Sequence, residues 1–567
     1  MNRKQRRAEL KQPRMRQVAN IAQLFDEACR LQRQNRLDDA ARAYKRLLLL
    51  KPDHAQANNN LGGILQMQGK WAEASPRFAR ALELTPQLFD QFGAIVATLA
   101  AILPPLGEGM RRAQSSWPER PALDQLFSGG IAAIVSDPLL RTVLQSGPIR
   151  DLALERLFTA LRAGLIEDAA APRISGDVLA FGCALAQQCF INEYVFATTD
   201  GENDRIEKLK SKLPEVSPAE LVVLAMYEPL HALPQATALL ARTWPKSVDA
   251  VLQQQLREPL QERALQDSIP RLTQIDDPAS QRVRQMYEEN PYPRWVNVAA
   301  DPAPLTIDEY LRGMFPSADF ASPASTDHTE VLVAGCGTGW HAISFAYKFK
   351  GTRLLAIDLS LASLAYAKRK TPSALADRVQ YAQADILKLG SLERRFDVVD
   401  ASGVLHHMAD LFAGWRILLA LLRPGGLMHV GLYSEIARAD VVAARKFIAE
   451  RGYAPTAQDI RRCRQELLGS PVRNVARFHD YFSMSECRDL LFHVQESRTT
   501  IPAIKAFIAG QGLRFVGFEF GEPALQHYRR LFSDNGWSMT DLDRWHEVET
   551  RAPDTFAGMY QLWLQKP

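Results

Sequence analysis

What this 567-residue sequence lacks narrows it first. Its six cysteines (Cys29, Cys183, Cys189, Cys336, Cys463 and Cys487) are scattered and form no CxxC pair. That argues against a zinc site and fits reduced thiols in a cytoplasmic protein. No apolar run reaches the ~18 residues a membrane span needs. The longest candidate, FGAIVATLAAILPPL from Phe92, is shorter and ends in prolines. The basic start, MNRKQRRAELKQPRMR, has no apolar stretch behind it, so no secretory signal is expected. Residues 1–20 read as a solvated, flexible segment, with contact to RNA or an anionic surface as the alternative. A net charge of +4 is too small to argue for nucleic acid or membrane. A hydrophobic fraction of 47% and a charged fraction of 23% are ordinary for a globular chain, and the length implies several domains.

What is present begins with a repeat. IAQLFDEACRLQRQNRLDDAARAYKRLLLLKP and AQANNNLGGILQMQGKWAEASPRFARALELTP align at a period of about 34 residues. In the second window Leu61, Gly62, Leu65, Gly69, Ala74, Phe78, Ala81 and Pro86 recur at fixed offsets; in the first, Ala28, Ala40, Tyr44 and Pro52 do so. Small residues suit the close contact of two antiparallel helices, Tyr44 and Phe78 suit the gap between hairpins, and each proline ends a second helix. Residues 21–88 resemble tetratricopeptide repeats. The resemblance implies either a groove for a protein or peptide partner, or a structural spacer or dimer surface. Residues 89–280 read as a helical domain, with helix starts at Asp137-Pro138 and Ser217-Pro218 and a buried helix over DVLAFGCALAQQCFINEYVFA. No chemical constellation stands out there.

From Glu330 the pattern changes to strand, turn, helix. VLVAG, TRLLAID, VQYAQADI, FDVVDASGV and GLMHVGLYS read as strands with helices between them. That alternation predicts a doubly wound sheet with ligands at the carboxyl ends of its strands. The first turn carries Gly335, Gly337 and Gly339, with Cys336 between the first two. A dinucleotide fingerprint would need glycine at Trp340, and a phosphate-binding P-loop would close on Gly-Lys-Ser/Thr; neither fits. Asp358, followed by Leu359, ends the second strand where a carboxylate reaches ribose hydroxyls. Asp385 with Ile386 ends the third, at the height of a purine edge. GLRFVGFEF and FAGMYQLWLQKP form a hairpin-like final pair, which would put an antiparallel strand at the end of the sheet.

AGCGTG, AIDLS, QADI, SGVLHHMAD and LLRPGGLMHVGLYS, taken in order, resemble the class I S-adenosylmethionine-dependent methyltransferases. The whole chain resembles bacterial tetratricopeptide-containing members of that class. The resemblance implies a multidomain α plus α/β protein whose domain at 281–567 has a Rossmann-like seven-stranded sheet, antiparallel last strand and S-adenosyl-L-methionine as cofactor. Within it, 281–327 would form a lid or linker and 435–511 an acceptor-side insertion. One position departs from the family: Val333 stands where the first strand usually carries an acid, so the cofactor's amino group would have to use backbone carbonyls such as that of Gly335, or water.

Methyl transfer to a hydroxyl or amine needs a base. Ser402, His406 and His407 follow the fourth strand, and Tyr433 follows the fifth. His407 is the preferred base over His406, Tyr433 is a second pocket candidate, and Ser402 is assigned to the cofactor. QMYEENPYPRWV offers Tyr287, Tyr292 and Trp295 as a lid. HDYFSMSECRDLLFHVQE offers Tyr481, Glu486, His493 and Glu496 to an acceptor pocket. The order in ENPYP is not that of the Asn-Pro-Pro-Tyr element of base-methylating enzymes, and no Pro-Cys nucleophile occupies the fourth-strand slot. Nucleic-acid bases are therefore disfavoured. Two readings stay open: a methyltransferase for a small molecule or for a protein recruited by the repeats, or a scaffold whose methyltransferase fold only binds cofactor.

Overall fold

The computed structural model describes residues 20–168, 174, 176–298, 300, 301, 303–322, 328–532 and 539–567. The basic segment 1–19, together with 299, 302 and 323–327 of the expected lid, lies outside the described residues. The chain divides into two compact units at Leu256/Arg257.

The first unit is helical. Helix 20–33 pairs with Leu37–Leu50, and Ala55–Met67 pairs with Trp71–Leu84, giving the two expected hairpins. The small residues act as the repeat implies. Ala28, Ala40, Ala57, Ala74 and Ala81 are fully buried, and a Cβ on Gly62 would sit 3.0 Å from the Phe78 ring. Tyr44 is buried between hairpins, donating to Gln32 Oε1 at 3.0 Å and accepting from Asn60 Nδ2 at 2.9 Å. Beyond the hairpins, the apolar stretch at Phe92 breaks into Phe92–Ile102 and Pro104–Ser116, bent by 111°. Among the described residues no single helix is long and apolar enough to cross a membrane. Asp137 caps Pro138–Ser146 and Ser217 caps Pro218–Ala225, as the two X-Pro starts predict. Gly176–Ile191 is buried over most of its length, Cys183 and Cys189 included.

The second unit is built on seven strands: β1 Thr329–Ala334, β2 Thr352–Asp358, β3 Val379–Gln383, β4 Phe396–Ser402, β5 Leu422–Leu432, β6 Arg514–Phe518 and β7 Tyr560–Gln565. Their order is β3-β2-β1-β4-β5-β7-β6. β1 to β5 pair in parallel, and β7 lies antiparallel between β5 and β6. The expected fold, antiparallel last strand included, is the observed one. Both faces of the sheet are covered, which is why β1 and β2 read as nearly continuous apolar runs. One core gathers Leu332, Val399, Val430 and Trp415; the other gathers Val331, Val333, Val398 and Ile343. Strand order reverses between β1 and β4, so their carboxyl ends diverge and open a crevice there.

Two further segments frame that crevice. Helix Glu258–Gln266 is tied to the sheet domain by Arg369, which meets Glu258 at 2.9 Å and Glu262 at 2.7 Å. The next stretch runs beside β3, where Gln383 N donates to Pro270 O at 2.8 Å and Leu272 N to Gln383 O at 2.9 Å. Between β5 and β6 the insertion adds helices Ala439–Arg451, Ala457–Leu468, Met484–Phe492 and Ile501–Gly510. The buried side chain of its Glu496 accepts from Arg438 at 2.7 Å and Arg445 at 3.1 Å.

Candidate functional site

A cavity of about 530 Å³ fills the crevice. Its floor is the glycine turn. Gly335 and Gly337 have φ of +71° and +51°, which only glycine adopts without strain. A Cβ on Gly335 would collide with Val404, and one on Gly337 would lie 2.5 Å from Tyr292 O. Backbone therefore forms the surface there because no side chain fits. Gly337 N–H donates to Asp358 Oδ2 at 2.8 Å, and Ser360 N–H to Asp358 Oδ1 at 2.9 Å. The carboxylate thus fixes the turn and keeps lone pairs for a ligand. Burial raises the Asp358 carboxyl above the usual range, opposed by those two N–H groups.

Asp385 behaves differently. Its Oδ1 accepts from Leu387 N–H at 2.9 Å, while Oδ2 is buried and makes no well-formed hydrogen bond, the Ser280 hydroxyl being the side-chain donor beside the carboxylate, so acceptor capacity is left for a ligand. Burial again raises the carboxyl.

Gly335, Cys336, Gly337, Asp358, Leu359, Asp385, Ile386 and Ser402 all line the cavity, as do His407 and Tyr433. Two candidates fall outside the lining. Gly339, φ +83°, starts helix Trp340–Lys348, and a Cβ there would meet Ala367 at 2.5 Å. His406 is buried and stacked on Tyr433, with ring centroids 3.7 Å apart. Ser402 Oγ donates to Gln561 Oε1 at 3.0 Å.

The segment ahead of β1 lies over the turn. Tyr287, Tyr292 and Pro293 line the cavity. Thr338 N–H donates to Tyr292 O at 3.2 Å, its hydroxyl donates to Pro293 O, and Trp295 Nε1 donates to Thr338 O at 3.1 Å. Trp295 packs edge-on against Tyr366 rather than into the cavity. Glu288 accepts from Leu361 N at 2.7 Å and Ala362 N at 3.0 Å, which pins the same segment to the helix after β2.

Of the insertion's candidates, His493 approaches the site; Tyr481 and Glu486 serve local packing, Tyr481 donating to Arg464 O and Glu486 accepting from Ser483 Oγ. One residue the sequence reading missed is Asp489, on helix Met484–Phe492, which lines the cavity. Tyr287 Oη donates to Asp489 Oδ1 at 2.6 Å. His493 Nε2 lies 3.1 Å from Tyr287 Oη, and His493 Nδ1 accepts from Gln495 N–H at 3.0 Å. The neutral His493 therefore carries its proton on Nε2 and donates to Tyr287. His407 is set the opposite way: its Nδ1 lies 3.1 Å from Gln495 O, a carbonyl that only accepts. The proton sits on Nδ1 and the Nε2 lone pair is free, 3.9 Å from Asp489 Oδ1. Burial lowers the His407 pKa, with Asp489 opposing, and burial raises that of Asp489, with His407 opposing.

The cavity is acidic. Five aspartates line it (Asp277, Asp358, Asp385, Asp410 and Asp489), and among the described residues no lysine or arginine does. That donor and acceptor set fits an adenosyl sulfonium: carboxylates for ribose hydroxyls and an adenine amine, apolar Leu359 and Ile386 for the ring, and acidic surroundings for a cation.

Residues 331–426 match the family described as methyltransferase domain, and residues 25–88 match tetratricopeptide repeat. A Synechococcus protein of uncharacterised role is 29% identical over 255 residues, 43% of this chain and 61% of its own length. The ubiquinone biosynthesis O-methyltransferase of Methylocella silvestris is 30% identical over 137 residues, 24% of this chain and 52% of its own. The chain thus spans less than two thirds of either relative. Among solved structures, that of PKMT2 from Rickettsia typhi is similar at 16% identity and a TM-score of 0.36, over 46% of this chain and 53% of that one. Residues 331–426 thus match a methyltransferase domain and residues 25–88 tetratricopeptide repeats, and the strand order with antiparallel β7 is the fold expected of a class I S-adenosylmethionine-dependent methyltransferase.

Proposed function

We propose that the protein transfers a methyl group from S-adenosylmethionine to an oxygen or nitrogen of an acceptor that carries no negative charge, with His407 as general base. Asp358 and Asp385, with Leu359 and Ile386, would hold the cofactor's adenosine over the glycine turn. Bound there, the cofactor supplies an electrophilic methyl carbon open to in-line displacement. His407 Nε2 takes the proton the acceptor loses. The single observation that carries this role is the hydrogen bond to Gln495 O, which fixes the tautomer with its lone pair at the cavity. Burial keeps the ring neutral at physiological pH, the form a base requires. The Tyr287–Asp489 pair stands beside it to stabilise the imidazolium once formed.

The charge on the acceptor follows from the lining. A carboxylate or phosphate presented to the neutral His407 beside Asp489, with no lysine or arginine in the described lining to meet it, would be repelled. A neutral hydroxyl or an amine is not, and the rings of Tyr287, Tyr292 and Tyr433 favour an aromatic or cationic group. We assign the tetratricopeptide hairpins to docking a protein or peptide partner, on the strength of the repeat match alone.

The test is transfer of labelled methyl from S-adenosylmethionine into a fractionated small-molecule and protein extract. Label should appear in a basic or neutral fraction and fall by about 10²–10⁴-fold with His407→Gln. Cofactor binding without transfer to any fraction would leave a scaffold instead of an enzyme.

A further inference from the structure

A second cluster of titratable groups borders the cavity and takes no part in the chemistry above. His341 lies in the first turn of helix Trp340–Lys348, directly after the glycine turn, and lines the cavity. Its Nε2 is 3.0 Å from Asp400 Oδ2 on β4. The same oxygen is 2.9 Å from His429 Nδ1 on β5. Asp400 pairs in register with Val333 of β1, so the two side chains share a face of the sheet. The acid missing from β1 thus has a counterpart one strand away, holding a histidine at the cavity.

The charge on that histidine can be worked out. Asp400 is 1% exposed, and a carboxylate buried to that degree needs a cation. His429 is stacked on Trp563 at 4.8 Å, and its Nε2 is buried without a partner. His429 Nδ1 and His341 Nε2 share the one carboxylate oxygen, and the field of Asp400 favours the charged form of His341. Every other charged group facing it is accounted for. Glu519, beyond β6, accepts from Trp563 Nε1 at 2.7 Å and Tyr310 Oη at 2.9 Å and favours the charged ring, while Lys348, two turns along the same helix, opposes it. Burial opposes the charged ring, and Asp400 outweighs it, so protonation persists above the ordinary histidine range.

S-adenosylmethionine ends in an amino acid, and its carboxylate needs a cationic donor. His341 and His407 are the only basic side chains in the described lining, and His407 is neutral. The positive end of the helix that begins at Trp340 adds to the field at His341. We propose that His341, held by Asp400 and His429, is the subsite for the carboxylate of the cofactor's amino-acid moiety. The inference rests on the cofactor assignment above and goes beyond it by naming the group that reads the carboxylate.

The experiment is calorimetry of the full chain with two probes, S-adenosylhomocysteine and 5′-methylthioadenosine, which share the adenosyl thioether and differ in the amino acid. Wild type should prefer S-adenosylhomocysteine, and that preference should fade as pH rises past the raised pKa of His341. His341→Gln should weaken S-adenosylhomocysteine roughly ten- to hundredfold and leave 5′-methylthioadenosine unchanged. His341→Lys should keep the preference. Methylthioadenosine binding also serves as the folding control for each variant. The proposal is overturned if His341→Gln weakens both probes equally or neither. It is also overturned if EDTA abolishes the preference, which would make His341, Asp400 and His429 ligands of a metal ion. Failure of both probes to bind wild type would instead overturn the cofactor assignment itself.

Discussion

Replacing Gly337 by alanine tests the floor of the cavity and its cover at once. The backbone there has φ +51°, and the left-handed conformation costs a residue with a Cβ about 1–2 kcal/mol. The new methyl would lie 2.5 Å from Tyr292 O, closer than such contacts occur, and the atom it meets is backbone and cannot rotate away. The cover must lift, which sacrifices the Thr338 N–H to Tyr292 O bond, about 0.5–1.5 kcal/mol. The sum is about 2–3 kcal/mol, or about 3–5 °C in the melting temperature of a cooperative unit the size of 257–567. Tyr292 and Gly337 both line the cavity, so S-adenosylhomocysteine affinity should fall with stability. Differential scanning calorimetry with and without ligand measures both. A Gly337→Ala protein that melts and binds as wild type does would refute the close backbone approach on which the cavity's shape depends.

Other outcomes follow from single groups. Asp385→Asn should weaken S-adenosylhomocysteine by roughly ten- to hundredfold, read by calorimetry. It should also stabilise the unliganded chain at neutral pH: the folded pKa is raised, so the native carboxylate loses stability as pH climbs through it, and an amide does not. Because burial depresses the His407 pKa, the acid limb of the pH–rate profile should be centred below about 6.5, the unperturbed value; a limb near 7.5 would remove His407 as the base. Glu496→Gln leaves Arg438 and Arg445 facing a neutral group in a buried pocket, and urea unfolding should report a loss of about 3–5 kcal/mol.

The parts of the site that sequence alone revealed are those that local chain geometry dictates. Gly335 and Gly337 follow a strand directly, and Asp358 and Asp385 end the next two strands, so the sheet's order places all four at one edge. Asp489 could not be read this way. It comes from a helix of the insertion that follows β5 in the chain and reaches His407 only through tertiary packing. The neighbouring histidines show the same limit at shorter range. His406 and His407 share a single 3₁₀ turn, yet one ring stacks on Tyr433 and the other reaches the cavity. The bonding of Gln495 separates their roles, and Gln495 is remote in sequence. Val333 was legible as a missing acid; its counterpart Asp400 became visible only once β4 lay beside β1 in register.

The central claim is that the glycine-floored cavity holds an adenosyl sulfonium. Titration of the full chain with S-adenosylhomocysteine tests it most directly. One molecule should bind per chain, with affinity lost on Asp358→Ala. No heat with the wild-type chain, or an isotherm unchanged by Asp358→Ala, would contradict it.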